Sequence, residues 1–412
     1  ANNLVRAGMR VVQTIGVPGS GFDAREAEVE AVVVALKSRT VPPQEAVAQS
    51  LAALGWLRRM GAKQFYFKYC STFDSRFEGE PRGNIGPVTE ALMSALNSDF
   101  TIATPAFPDN QRTVFKGYLF VGDLLLSESS MRNHPLTPMT DSNLVRVLQA
   151  QCATRKVGLV DRKVVARGPE AIRQRFEALR AEGVQIAVID SVDNDDLWQL
   201  GPTLKDMPLV TAGSGVAIAL PKNFGIEPAE GAAALPPAAG LQAVVSGSCS
   251  AATNEQVQHF IESGRPAFAL DPLELAAGED LAEQALAWVE PLLADGPVLV
   301  YSTAEAAAVK QVQAKLGVDE AGAMVERTLA AVARGLVERG VRQLIVAGGE
   351  TSGACVQALG IEQLRIGPQI APGVPWCHAR SQAAGDGGLH LTLKSGNFGA
   401  PDFFTQAFTM LG

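Results

Sequence analysis

The segment VRQLIVAGGETSGACVQALG, Val341 to Gly360, carries the reading on which the fold turns. Its first residues form a short apolar run of the kind a strand buried on both faces needs, and its last residues form an amphipathic stretch that suits a helix. Between them AGGETSG, Ala347 to Gly353, crowds small residues into the place where strand turns directly into helix. A strand followed at once by a helix is the repeating unit of a parallel α/β sheet. Glycine at the junction lets a ligand approach the backbone above the strand end.

The same alternation recurs outward from this junction. In the second half LQAVVSGSCS, PAFAL, PVLVYS, RQLIVAGG and LHLTLKSG predict strands, and DEAGAMVERTLAAVARGLVERG predicts a long helix. TNEQVQHFIESG predicts another helix, with Thr253 and Gln256 in capping-box spacing and Gly264 as terminator. In the first half RVVQTIG, AVVVAL, QFYFKY, FTIATPAF, KVGLV, VQIAVID and PLVTAG read as strands. PPQEAVAQSLAALGWLRRMG reads as a helix entered at prolines and left at Gly61, and GYLFVGDLLLSES as a hairpin turning at Gly122 and Asp123. Residues 223–240, NFGIEPAEGAAALPPAAG, are rich in Ala, Pro and Gly without period and read as a linker. The expected fold class is therefore α/β with two domains, residues 1–222 and 241–412, each a mainly parallel sheet flanked by helices. The chain opens on Ala instead of Met, and ANNLVRAGMRVVQTIGV begins inside a helix ending at Gly8; since an α/β domain usually opens with a strand, a further strand and loop are expected ahead of it.

Composition narrows the function. A chain of 412 residues with 47% hydrophobic residues is long enough for two cores, and a formal charge of -8 offers no basic surface for a polyanion, so no nucleic acid is expected as partner. No apolar run approaches the roughly 20 residues that span a bilayer, so no membrane role is expected either. Five scattered cysteines, odd in number and without a Cys-x-x-Cys pair, indicate neither a disulfide framework nor a zinc site and fit a reducing, cytoplasmic setting. His134, His259, His378 and His390 lack ligand spacing.

Three loops of the second half share one design, a buried strand ending in small residues. They are SGSCS (Ser246, Gly247, Ser248, Cys249, Ser250), GGETSG (Gly348, Gly349, Glu350, Thr351, Ser352, Gly353) and KSGNFG (Lys394, Ser395, Gly396, Asn397, Phe398, Gly399). Open backbone N–H groups, hydroxyls and a following helix N-terminus suit a phosphate, although any one such loop also serves as a plain tight connection. None fits the P-loop or dinucleotide pattern. Glu350 either takes Mg²⁺ beside phosphates or only answers the helix dipole.

In the first half FYFKYCSTFDS delivers Lys68, Ser71, Thr72, Asp74 and Ser75 to one loop, and PRGNIGPVTEAL presents Arg82, Gly83 and Asn84 ahead of a helix begun at Pro87. Cations with hydroxyl-binding groups suit a small polyhydroxy acid; Asp74 alone also reads as a turn or cap residue. Cys70 reads as a small half-buried residue rather than a nucleophile. The loop PAFPDNQRTVFKG adds Arg112 and Lys116, with a solvated surface loop as the alternative. The acidic run DSVDNDDLWQL, Asp190 to Leu200, reads as helix capping in preference to a cation site, and TAGSG (Thr211 to Gly215) either touches substrate or closes a turn.

Taken together, KYCSTFDS, GNIGPVTEAL, TPAFPDNQRTVFKGYLFVG, VVSGSCS, GGETSG and LKSGNFG resemble, in order and across the chain, the four-carbon acid sugar kinase family, with CSTFDS and GNIGPV most similar to its 3-oxo-tetronate 4-kinase branch. The resemblance implies an N-terminal sugar-acid domain, a C-terminal nucleotide domain and a cleft between them in which ATP phosphorylates a terminal hydroxyl. It implies ATP contacts from Ser248 and its neighbours and from Gly348, Gly349, Glu350, Thr351 and Gly396. Lys68, Ser71, Asp74 and Asn84 would face the substrate. Lys394 or Lys68 is then expected to stabilise charge and Asp74 to orient the hydroxyl. The family's ADDFTGA-like segment precedes the first residue here, and RFEGEPR is longer than usual. A threonate or erythronate kinase is the enzymatic rival, a sugar-acid binding protein the non-catalytic one, and a nicotinamide dehydrogenase comes third; a homo-oligomer stays open.

Overall fold

The computed structural model describes residues 1–19, 29–75, 83–134, 137–303 and 317–411. The chain divides into two compact units, Asn3–Ala232 with Ala1, and Ala233–Gly412 with Asn2.

The first unit opens with a short helix, Asn2–Arg6 from its second residue on, and a parallel pair, β1 (Val11–Ile15) and β2 (Ala31–Ala35). Its main sheet is built from β3 (Phe65–Lys68), β4 (Thr101–Thr104), β8 (Val157–Val160), β9 (Ile186–Ile189) and β10 (Leu209–Ala212). These strands run parallel in the order β3-β10-β4-β9-β8. The interior strands β4, β9 and β10 are buried at every residue, which is why they read as unbroken apolar runs. Ile102, Val188, Ile189, Leu209 and Phe100 form the core between the sheet and helices that include Pro43–Arg59, Ile85–Ala95 and Pro169–Ala181.

An antiparallel ribbon, β5 (Arg112–Phe115), β6 (Tyr118–Val121) and β7 (Leu124–Leu125), lies beside this sheet. Val121 pairs with Leu124 across Gly122 and Asp123, the turn expected from the sequence. Arg112, expected on a loop, opens strand β5, and Phe107 bridges to it. Buried Asp190 accepts from the backbone N–H groups of Lys116 (2.7 Å), Gly117 (2.8 Å) and Arg162 (3.0 Å), so its carboxylate ties the ribbon to the sheet. Within the acidic run, Asp193 caps the Asn194–Leu200 helix by accepting from the Asp196 N–H at 2.8 Å.

In the second unit β11 (Leu241–Ser246), β12 (Ala267–Ala269), β13 (Val298–Tyr301), β14 (Val341–Ala347) and β17 (Gly385–Lys394) run parallel in the order β12-β13-β11-β14-β17. Two strands not expected from the sequence, β15 (Gln363–Ala371) and β16 (Val374–Ser381), extend the sheet antiparallel beside β17. Trp376, Phe403, Phe404 and Phe408 pack one face, and the Trp376 indole donates to the Ala407 carbonyl at 2.9 Å. Within residues 223–240, the Pro236 carbonyl lies 2.9 Å from His390 Nε2. Among the described residues no helix is long and apolar enough to cross a membrane.

Candidate functional site

The three small-residue loops of the second unit follow adjacent strands that end level with one another. Ser246 pairs in register with Ala347, and Ala347 with Lys394. The ladder continues one step beyond the strands, where the Gly247 N–H donates to the Ala347 carbonyl and the Gly348 N–H to the Lys394 carbonyl, both at 2.9 Å. Loops placed at the carboxyl ends of parallel strands occupy the usual ligand edge of an open α/β sheet.

Glycine is required where these loops meet. A Cβ on Gly247 would lie 2.3 Å from Thr351 Oγ1, and one on Gly396 would lie 2.7 Å from Ser248 Oγ and 2.9 Å from Ser250 Oγ. Gly348 stands at φ 129°, where L side chains are strained, with Thr351 Oγ1 at 2.7 Å from the place of a Cβ. The loop GGETSG is shorter than expected. The helix Gly349–Ala358 starts immediately after Gly348, so Glu350 and Thr351 belong to its first turn and Gly353 lies within it. Gly349 and Glu350 are exposed while Thr351 is buried.

Helix Ala251–Glu262 starts one loop away, and its cap is Ser250, whose Oγ accepts from the Thr253 N–H at 3.3 Å. Thr253 is therefore inside the helix instead of capping it. Its hydroxyl donates to the Gly396 carbonyl at 2.9 Å, fastening the first loop to the third. Among the described residues, the backbone N–H groups of Ser248, Cys249, Gly349, Glu350, Thr351, Gly396 and Asn397 have no acceptor. Donors gathered in this way at strand ends and helix N-termini are what an anion with several oxygens can satisfy.

Lys394 is fully buried, so its ammonium does not face that edge. It donates inward to Thr253 Oγ1 at 3.0 Å and to the carbonyls of Ser395 (3.3 Å), Gly396 (3.0 Å) and Phe398 (3.3 Å). Burial pulls its pKa from the usual lysine range down to about 8. Ser395 and Asn397 are exposed, and Ser246 Oγ is buried against Thr303 Oγ1 at 2.7 Å.

In the first unit the loop after β3 builds a buried carboxylate. Asp74 is 1% exposed. It accepts from Arg39 Nη2 at 2.7 Å on Oδ1 and 2.6 Å on Oδ2, from Arg39 Nε at 3.0 Å, from Thr72 Oγ1 at 2.5 Å and from Thr137 Oγ1 at 2.6 Å. Burial favours the neutral acid, but Arg39 and the two hydroxyls outweigh it and hold the carboxyl below its ordinary range. With its lone pairs taken, Asp74 anchors Arg39 and has no lone pair left over to orient a hydroxyl. Asn84, also expected to face a ligand, spends its amide on the carbonyls of Ser38 (2.6 Å) and Val41 (3.2 Å), on either side of Arg39. Thr72, Asp74 and Asn84 thus brace one cation that the sequence reading missed; its side chain remains 48% exposed.

Lys68 is exposed at the end of β3 and Ser71 is half-buried, and neither has a side-chain partner among the described residues. Arg112 Nη1 donates to the Asn110 carbonyl while its buried Nε lacks an acceptor. Cys70 Sγ lies 3.0 Å from Thr72 Oγ1. Arg82 lies outside the described residues. Within TAGSG the backbone packs closely on a neighbouring segment: Cβ atoms on Gly213 and Gly215 would meet the carbonyls of Pro105 at 2.8 Å and Ala106 at 2.2 Å.

Residues 1–220 match the model of the sugar-binding N-terminal domain, and residues 243–404 that of the nucleotide-binding C-terminal domain. The 3-oxo-tetronate kinase of Cupriavidus necator is 56% identical over 416 aligned residues, covering 100% of this chain and 94% of the relative. The chain belongs to the four-carbon acid sugar kinase family.

Another four-carbon acid sugar kinase, the 3-oxo-tetronate kinase of Pseudomonas fluorescens, is 53% identical, with 100% of this chain and 94% of the relative covered. A crystal structure from Salmonella typhimurium LT2, described as a putative tRNA synthase, superposes with a TM-score of 0.88 at 42% identity, covering 99% of this chain and 95% of that one. A Haemophilus influenzae protein superposes at 0.81 with 46% identity, covering 100% and 97%. The two domain models of this kinase family fall on the two halves whose strand ends carry, respectively, the Arg39–Asp74 cluster and the unpaired amide groups.

Proposed function

We propose that this protein is an ATP-dependent 3-oxo-tetronate kinase, transferring the γ-phosphoryl group to the C4 hydroxyl of 3-oxo-tetronate and yielding 3-oxo-tetronate 4-phosphate. The observation that carries the reading is similarity along the whole chain, in both domains, to kinases of that name at 53–56% identity. The site geometry agrees with it, because phosphoryl transfer asks a protein chiefly to position two ligands and neutralise charge.

The unpaired amides of Ser248, Cys249, Gly349, Gly396 and Asn397 would hold the triphosphate, and the hydroxyls of Ser248 and Thr351 border the same place. Bound Mg²⁺ would supply further neutralisation of the β- and γ-oxygens. Glu350, exposed on the first helical turn, would hold it, directly or through water. Among the described residues no cluster of three or more His, Cys, Asp or Glu side chains could take a metal, which suits an ion held mainly by phosphates. For the sugar acid, Arg39 and Arg112 are the cations for its carboxylate, and Lys68 and Ser71 lie at the same strand end. A cytoplasmic setting follows from the need for ATP.

The test is a coupled ADP-release assay with 3-oxo-tetronate, threonate and erythronate offered separately with MgATP. Preferential turnover of 3-oxo-tetronate supports the proposal. Preference for threonate or erythronate would move the assignment to the sister activity, and MgATP binding without turnover of any acid would refute a kinase.

A further inference from the structure

We infer that Lys394 is a positioning residue that turns the third loop's peptide groups outward to grip nucleotide phosphate, and that the bound phosphates are the counter-charge this buried cation otherwise lacks. The inference rests on the nucleotide reading of the second unit and adds to it a role for a side chain no ligand need touch.

Peptide geometry comes first. The carbonyls of Ser395, Gly396 and Phe398 all turn onto Lys394 Nζ, at 3.0–3.3 Å. The structure has no cis peptide bonds among its described residues, and in a trans peptide the N–H points opposite to the C=O. Holding those three carbonyls inward therefore aims the N–H groups of Gly396, Asn397 and Gly399 outward, and none of the three has an acceptor among the described residues. Gln256 works beside Lys394: its Nε2 donates to the carbonyls of Phe398 (3.0 Å), Gly399 (3.1 Å) and Ala400 (3.1 Å). Lys394 also fixes the neighbouring loop, since its own carbonyl accepts from the Gly348 N–H.

Charge comes second. Lys394 is 0% exposed, and an ammonium in that position ordinarily has a carboxylate partner. Here the helix Ala251–Glu262 presents it with Thr253 Oγ1, the helix Phe403–Gln406 with the Phe404 ring at 6.0 Å, and its own loop with carbonyls. Among the described residues it is held by neutral acceptors, and its burial lowers its pKa. Three N–H donors of the ammonium serve these acceptors better than the two of a neutral amine. A polyphosphate seated on the outward amides favours the charged form, so nucleotide and proton bind cooperatively, each raising the affinity for the other.

The sign follows from linkage. Without nucleotide Lys394 loses its proton around pH 8, and with nucleotide it does so at higher pH. Binding above about pH 8 therefore takes up protons, and affinity falls by up to about tenfold per pH unit between the two pKa values.

The experiment is calorimetric titration of the full chain with MgADP, between about pH 7 and 9.5, in pairs of buffers with different ionisation heats. Expected for the wild type is proton uptake that rises through about pH 8, with Kd increasing over the same range. Lys394→Arg keeps its charge throughout this range, so uptake should vanish and Kd should become flat with pH. Lys394→Met should weaken MgADP at every pH. Wild-type binding with a flat Kd and no uptake overturns the inference while leaving the nucleotide site standing, and it does so without any variant if the arginine protein does not fold. Absence of MgADP binding by the wild type defeats both.

Discussion

Arg39 and Asp74, 35 positions apart in the chain, form a forked ion pair whose carboxylate side chain is 0% and whose guanidinium side chain is 48% exposed. The buried partner fixes the geometry, and in the proposed reading the half-exposed one would meet the sugar acid. Arg39→Met should raise KM for the sugar acid roughly ten- to a hundredfold, the loss of one or two charge-assisted hydrogen bonds, and leave KM for ATP within about twofold. Steady-state kinetics with each substrate varied in turn will check this. Arg39→Lys should rescue little, because an ammonium cannot match the fork.

The same pair makes the first unit acid-sensitive. The Asp74 carboxyl is held below its ordinary value in the folded chain, so its contribution to stability is fully present at neutral pH. It is lost as pH falls through the unfolded carboxylate value toward the lower folded one. Asp74→Asn should flatten this part of the acid limb of Tm against pH, while lowering Tm at neutral pH, measured by calorimetry.

Gly396→Ala is expected to damage nucleotide binding selectively. The new methyl would press on Ser248 Oγ and Ser250 Oγ at 2.7 and 2.9 Å, and the first and third loops would have to part. Side-chain ends can give a little, so a stability loss of about 1–3 kcal/mol is expected alongside at least tenfold weaker MgADP binding. Unchanged nucleotide affinity would remove Gly396 from the site.

What could be read from sequence was local. The parallel strands announced themselves because burial on both faces demands runs such as QIAVI and QLIVA. The glycine loops were legible for the same reason, each being a property of a few consecutive residues. Strands β15 and β16 were not, since Gly367, Pro368 and Pro375 inside them look like turn residues; the irregular register between Ile366 and Gln369 accommodates Pro368. Arg39 carried no local signal at all, because only the fold brings it to Asp74. Lys394 was visible as a cation next to a glycine loop, but its direction, into the protein, depends on packing by Phe404 and Thr253.

His378 and His390 predict a second acid-sensitive region. They pair across β16 and β17 with ring centroids 5.0 Å apart, and Arg365 stands opposite His378 on β15. Burial first, then mutual repulsion and the nearby arginines, lowers the pKa of His378; burial lowers that of His390 against its bond to Pro236. Depressed folded values mean the stabilising contribution is whole above about pH 6.5 and is lost as pH falls through them. Protection factors of β16 and β17 amides, exchange rates corrected for the intrinsic pH dependence, should fall as pH drops below about 6.5, and His378→Phe should blunt the change.

Glu350 is the sharpest point at which two chemistries diverge. It is exposed on the first turn of the Gly349–Ala358 helix, where a carboxylate either meets Mg²⁺ or merely complements the helix dipole. Glu350→Gln keeps the shape and removes the charge. If the side chain holds the ion, the Mg²⁺ concentration for half-maximal activity should rise at least about tenfold at fixed ATP, and kcat at saturating metal should partly recover. If it serves only the dipole, Mg²⁺ dependence should stay unchanged and Tm should fall by the equivalent of about 0.3–1 kcal/mol. Measuring both on one preparation separates the two roles, because neither outcome mimics the other.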